Sequence, residues 1–89
     1  MARYETSFSQ GSEAAALGGG ADALFELGLM YCTGRDVMLD LVEAHKWFNL
    51  AALRGNEDAR RYRTELSSEM TRAQIGRAQR AARQWLACH

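Results

Sequence analysis

Residues 23–59 read ALFELGLMYCTGRDVMLDLVEAHKWFNLAALRGNEDA, and the spacing of their apolar and small residues decides the fold. Over residues 22–32, Ala23, Leu24, Leu27, Met30 and Tyr31 fall at the i, i+3, i+4, i+7 spacing, which predicts an amphipathic helix with Asp22 as its N-cap. Thr33-Gly34-Arg35-Asp36 then breaks the period with a glycine suited to positive φ. Asp40 followed by Glu43 is a D-x-x-E variant of the capping box, so a second helix starts near Leu41. Its apolar stripe is Leu41, Ala44, Trp47, Phe48, Ala51 and Ala52. Gly55, just past Arg54, is placed to end it in a left-handed conformation. Two helices joined by a short loop form an antiparallel hairpin.

A second hairpin follows. Ala59, Tyr62, Leu66 and Met70 make a thinner stripe over a helix from about residue 57 to 68, and Glu57 and Asp58 favour its positive N-terminal end. Thr71 and Gln74 form a T-x-x-Q capping box before a last helix with Ile75, Ala78, Ala82, Trp85 and Leu86 on one face. Upstream, residues 1–20 show neither the helical nor the strand period and finish on Gly18-Gly19-Gly20, so they read as a flexible leader. Composition agrees with an all-α chain. Among 89 residues there are fifteen Ala and ten Leu but only three Val plus Ile, and no Pro. That length suits one small domain. The expected architecture is an α/α solenoid fragment of two antiparallel helix hairpins, about four helices over residues 21–89.

The chain also repeats itself. Ala15-Ala16-Leu17-x-Gly19-x-x-Asp22-Ala23 recurs as Ala51-Ala52-Leu53-x-Gly55-x-x-Asp58-Ala59, with six identities in nine positions at a spacing of 36 residues. That period belongs to stacked helix-turn-helix units. The two capping boxes are only 31 residues apart, so the second hairpin lacks about five residues of the loop around Gly34 to Leu39.

The filled positions form a long pattern: Ala23-x-x-x-Leu27-Gly28-x-x-Tyr31-x-x-Gly34, then Val37-x-x-Asp40, Ala44-x-x-Trp47-Phe48 and Ala51-Ala52-x-x-Gly55-x-x-x-Ala59. In these residues the chain resembles the Sel-one-like repeat family, relatives of the tetratricopeptide repeat. It departs from that pattern at Asp36, usually Gly, and at Glu43 and Leu50, each usually Lys. Asp tolerates a left-handed backbone, so the loop is retained. Residues 21–55 then form one full repeat. Residues 56–89 form a degenerate closing hairpin, with Arg63, Thr64 and Ser67 where Leu, Gly and Tyr are usual. The last helix is similar to the final helix of small bacterial members, with Arg72 where Pro is common. The resemblance implies a protein-interaction scaffold or adaptor that brings no shared catalytic residue.

Residue chemistry points the same way. His45 sits at the edge of an apolar stripe and His89 is terminal, and neither has a carboxylate or thiol spaced to orient it as a base. Asp36, Asp40 and Glu43 could mimic a carboxylate pair, but capping accounts for Asp40 and Glu43. No nucleophile elbow or P-loop occurs. Cys32 and Cys88 lack a metal-ligand or redox spacing, so neither a metal nor a cofactor is expected. Runs free of strongly polar residues, such as 27–32, are far short of a membrane span, and no export-type apolar stretch is legible, which implies a cytoplasmic protein.

Trp47, Leu50 and Leu53 on the second helix are the candidate contacts for an unidentified protein partner. The first helix is apolar on two sides, which makes Phe25, Leu29 and Cys32 candidates for self-association as a homodimer. The competing cover is the leader folding back through Phe8 and Leu17. The chain is neutral overall, yet residues 56–89 hold seven Arg against four acids. An alternative function is therefore an anion binder, for nucleic acid or a membrane surface, through Arg77, Arg80 and Arg83. Nucleic acid is disfavoured because no aromatic residues interleave with these arginines to stack on bases.

Overall fold

The computed structural model describes residues 20–88, which form four helices: α1 (Ala21–Thr33), α2 (Leu41–Leu53), α3 (Glu57–Ser67) and α4 (Arg72–Cys88). The described residues are all-α, as expected. The expected leader lies outside the described residues except for Gly20, as do Phe8, Ala15, Ala16, Leu17 and His89.

The helix ends show which local signals carry the chain through its turns. Asp22 does not cap α1: Gly20 occupies that position, and Asp22 lies in the first turn, where its Oδ1 accepts from Asn56 Nδ2 at 3.3 Å. The helix therefore starts two residues earlier than its carboxylate suggested. Asp40 does cap α2, accepting the Glu43 backbone N–H at 3.1 Å, but the reciprocal half of the box is not made. Instead the Asp40 N–H donates to the Tyr31 carbonyl at 3.0 Å, pinning the loop to α1. The Glu43 carboxylate turns forward, accepting from Trp47 Nε1 and pairing with Lys46, both at 3.1 Å. The loop itself needs a left-handed residue at Asp36, with φ of 66°.

Beyond α2, Gly55 takes φ of 101°, Gly55 N–H bonds Ala52 O and Asn56 N–H bonds Ala51 O, each at 3.0 Å. This is a Schellman closure, which a residue with a Cβ would strain. Asn56 caps α3 through Oδ1 and the Ala59 N–H at 2.8 Å. The Thr71–Gln74 box is fully reciprocal, with bonds of 2.9 and 3.1 Å.

Helix α2 is the hub. It packs most extensively on α1 and then on both α3 and α4, while α3 and α4 touch each other far less than either touches α2. Its buried residues Ala44, Trp47, Phe48, Leu50 and Ala51 meet Leu24, Leu27 and Met30 of α1, Ala59 and Leu66 of α3, and Ala82 of α4 in one core. The α1–α2 crossing is close because residue 28 has no side chain. A Cβ there would overlap the Phe48 ring at Cδ1 and Cε1, and Phe48 is itself only 1% exposed.

Candidate functional site

Of the three contact candidates on α2, Trp47 is 0% exposed and Leu50 1%, whereas Leu53 is 65% exposed. Trp47 and Leu50 are thus core residues and only Leu53 offers a surface. Two-helix periodicity left their side of α2 open because it could not show that α3 and α4 both close over the same helix. Trp47 stands edge-on to Trp85 of α4, and Lys46 Nζ lies 4.1 Å from the Trp47 ring centroid. The larger exposed apolar side chains include Met38 at 87% and Leu39 at 59%, in the loop before α2. Their signal in the sequence was two consecutive apolar residues off both helical stripes.

Phe25, Leu29 and Cys32 are half-buried and packed against the core instead of forming a free face. For Phe25 the cover is α3. Its ring lies 5.7 Å from that of Phe48 and 5.3 Å, edge-on, from that of Tyr62. Below Tyr62 a cavity of about 190 Å³ remains between α1, α2 and α3, lined by Cys32, Leu41, Phe48, Tyr62, Leu66, Glu65 and Glu69. Burial pushes the Cys32 thiol pKa up, and the negative charge of Glu69 adds to the shift against an opposing backbone hydrogen bond.

His45 lies deeper than its stripe-edge position implied, at 2% exposure. Its Nε2 is 2.9 Å from Ser67 Oγ, and that hydroxyl donates to the Arg63 carbonyl, also at 2.9 Å. With the hydroxyl proton so committed, the ring donates from Nε2, which leaves Nδ1 buried without a hydrogen-bond partner. Burial first, and the Arg63 charge second, lower its pKa from the ordinary 6.5, so the ring is neutral near pH 7. The arrangement is a clasp between α2 and the end of α3. Asp40 and Glu43 are spent on the cap and on Trp47 and Lys46, and Asp36 is exposed in the loop, so these three do not form a carboxylate pair. Among the described residues no group of three or more His, Cys, Asp or Glu could hold a metal ion, and no helix is long and apolar enough to cross a membrane.

Charges elsewhere are locally matched: Arg35 with Glu26, Lys46 with Glu43, Arg60 with Glu57 and Arg61 with Asp58. Arg63 donates to Asn49 at 2.7 Å, and Arg54 lies over the Trp85 ring. Arg72, Arg77, Arg80 and Arg83 of α4 are exposed and in no ion pair among the described residues, and the same holds for Glu65 of α3 and Glu69 in the turn after it.

Antiparallel helices sharing a central member, with small residues at the crossings and loops closed by left-handed residues, define an α-helical repeat protein. Residues 21–56, spanning α1, α2 and the Asn56 cap of α3, match the family model of the Sel1 repeat. Such repeats are non-catalytic scaffolds that generally mediate protein–protein contact. No curated protein and no solved structure matches the chain.

Proposed function

We propose that the chain is a non-catalytic adaptor that binds another protein, with residues 21–55 as the complete repeat and residues 56–89 as its closing hairpin. The observation that carries this reading is how the repeat spends its residues. Gly28, Trp47, Phe48, Ala44 and Ala51 are consumed in helix crossings, His45 in a clasp, Asp40 in a cap and Glu26 and Glu43 in ion pairs, while apolar side chains stay exposed at Met38, Leu39 and Leu53. A cytoplasmic setting belongs to the same proposal, since Cys32 and Cys88 are free thiols.

The test is capture from the native lysate with the full chain and with Leu53→Asp and Met38→Asp. A specific protein retained by the wild type and lost with either variant, at unchanged circular dichroism, supports the adaptor. A second reading, the anion binder, is favoured by the unpaired arginines of α4. It predicts that capture survives both substitutions but is lost with Arg77→Gln, Arg80→Gln and Arg83→Gln combined, and falls steeply with salt.

A further inference from the structure

The cavity beside Cys32 has a chemistry that the adaptor reading leaves unused. At about 190 Å³ it falls below the roughly 300 Å³ at which small-molecule pockets begin, so it is matched to a single long side chain. Its lining is apolar at Leu41, Phe48, Tyr62 and Leu66, and its two carboxylates, Glu65 and Glu69, are exposed and in no ion pair among the described residues. An apolar slot with an unpaired acidic edge suits an arginine, whose methylenes lie along aromatic and aliphatic surface while the guanidinium pairs with carboxylates. Tyr62 adds a ring face for the cation.

The matching cations are in the same chain but out of its own reach. Helix α4 packs on α2, whereas the slot opens between α1, α2 and α3. On α4, Arg80 and Arg83 are about 4.5 Å apart along the axis, and Glu65 near the end of α3 and Glu69 in the turn after it both edge the slot, so one helix laid against the slot can meet both carboxylates. The net charge is zero, so no long-range repulsion keeps two copies apart. We propose that the slot receives helix α4 of a second copy of this chain, with Arg80 and Arg83 paired to Glu65 and Glu69. The contact joins two different surfaces and replaces the face-to-face homodimer through Phe25, Leu29 and Cys32 that periodicity suggested. It does not depend on which foreign protein the adaptor holds.

Sedimentation of the full chain up to about 100 μM tests this, in about 0.1 M and about 1 M salt. The weight-average mass should rise above the monomer's with concentration at the lower salt and return to it at the higher. Glu65→Lys with Glu69→Lys, and separately Arg80→Glu with Arg83→Glu, should each weaken association about tenfold or more. All four positions are exposed, and urea midpoints near the wild type's would show that the fold is kept. Mixing the two charge-reversed proteins should restore association, because the basic slot then meets an acidic helix. A wild type that stays monomeric at the lower salt, an association indifferent to salt, or a mixture that fails to associate would overturn the proposal. So would a monomer whose arginines bind a polyglutamate probe, since α4 would then serve a different anion.

Discussion

The indole of Trp47 meets that of Trp85 edge-on, with ring centroids 5.6 Å apart and planes at 79°, and this contact fastens α4 to the repeat. Trp47 is fully buried and its Nε1 donates to Glu43. Trp47→Ala should therefore cost about 3 to 5 kcal/mol, the usual range for truncating a buried aromatic. Urea unfolding measures it, and a loss under about 1 kcal/mol would contradict the burial.

Gly28→Ala sets two effects against each other. Removing a helical glycine gains about 1 kcal/mol, while forcing a methyl into the Phe48 ring costs about 1 to 3 kcal/mol in a packed core. Packing should win, leaving a net loss. In Gly28→Ala with Phe48→Leu the penalty should be smaller than the sum of the two single losses, which a double-mutant cycle would read directly.

Asn56→Ala removes the α3 cap and the contact to Asp22 together. A loss of about 1 to 2 kcal/mol is expected, against only a few tenths for Asn56→Gly, which keeps the cap position tolerable. Denaturant midpoints of the two variants would separate them.

His45 should make the fold sensitive to acid. Its folded pKa lies below the ordinary 6.5, so as pH falls through 6.5 the unfolded chain takes up the proton first and stability declines toward the folded value. Above that range both states are neutral at this site and stability is flat. Urea midpoints of wild type and His45→Gln at about pH 8 and about pH 5 should differ in slope, with the variant losing less on acidification.

The two thiols should separate in reactivity. Cys88 is exposed, whereas Cys32 is half-buried in the slot with its pKa raised, so less of it is thiolate. Alkylation followed by peptide mass mapping should label Cys88 faster. Equal rates would mean that the slot is more open than its lining indicates.

The helices and turns between residues 21 and 74 were largely legible without coordinates, because the signals are local. The apolar period around Leu27 and Phe48, the Asp40 cap, Gly55 and the Thr71–Gln74 box each act within about one turn of chain, and the Ala51 to Ala59 repeat marks the stacking period. Their combination also carries the resemblance that the family match on residues 21–56 bears out. Local signals misplace a residue when another partner, distant or near, outbids the expected one. Asp22 looked like a cap and went to Asn56, 34 residues on, and Glu43 looked like half a capping box and went to Trp47 and Lys46.

Which faces are surface was decided only by tertiary structure. Periodicity says that a helix has an apolar side, but not how many neighbours will share it. Helix α2 takes three, so Trp47 and Leu50 disappear from the surface and Leu53, at the helix end, stays on it. The same closure lays Tyr62 over Phe25, buries His45 against Ser67 and leaves the acidic-edged slot by Cys32. Each of these joins residues more than 20 positions apart, and such contacts depend on how helices pack together, which the spacing within any one helix does not specify.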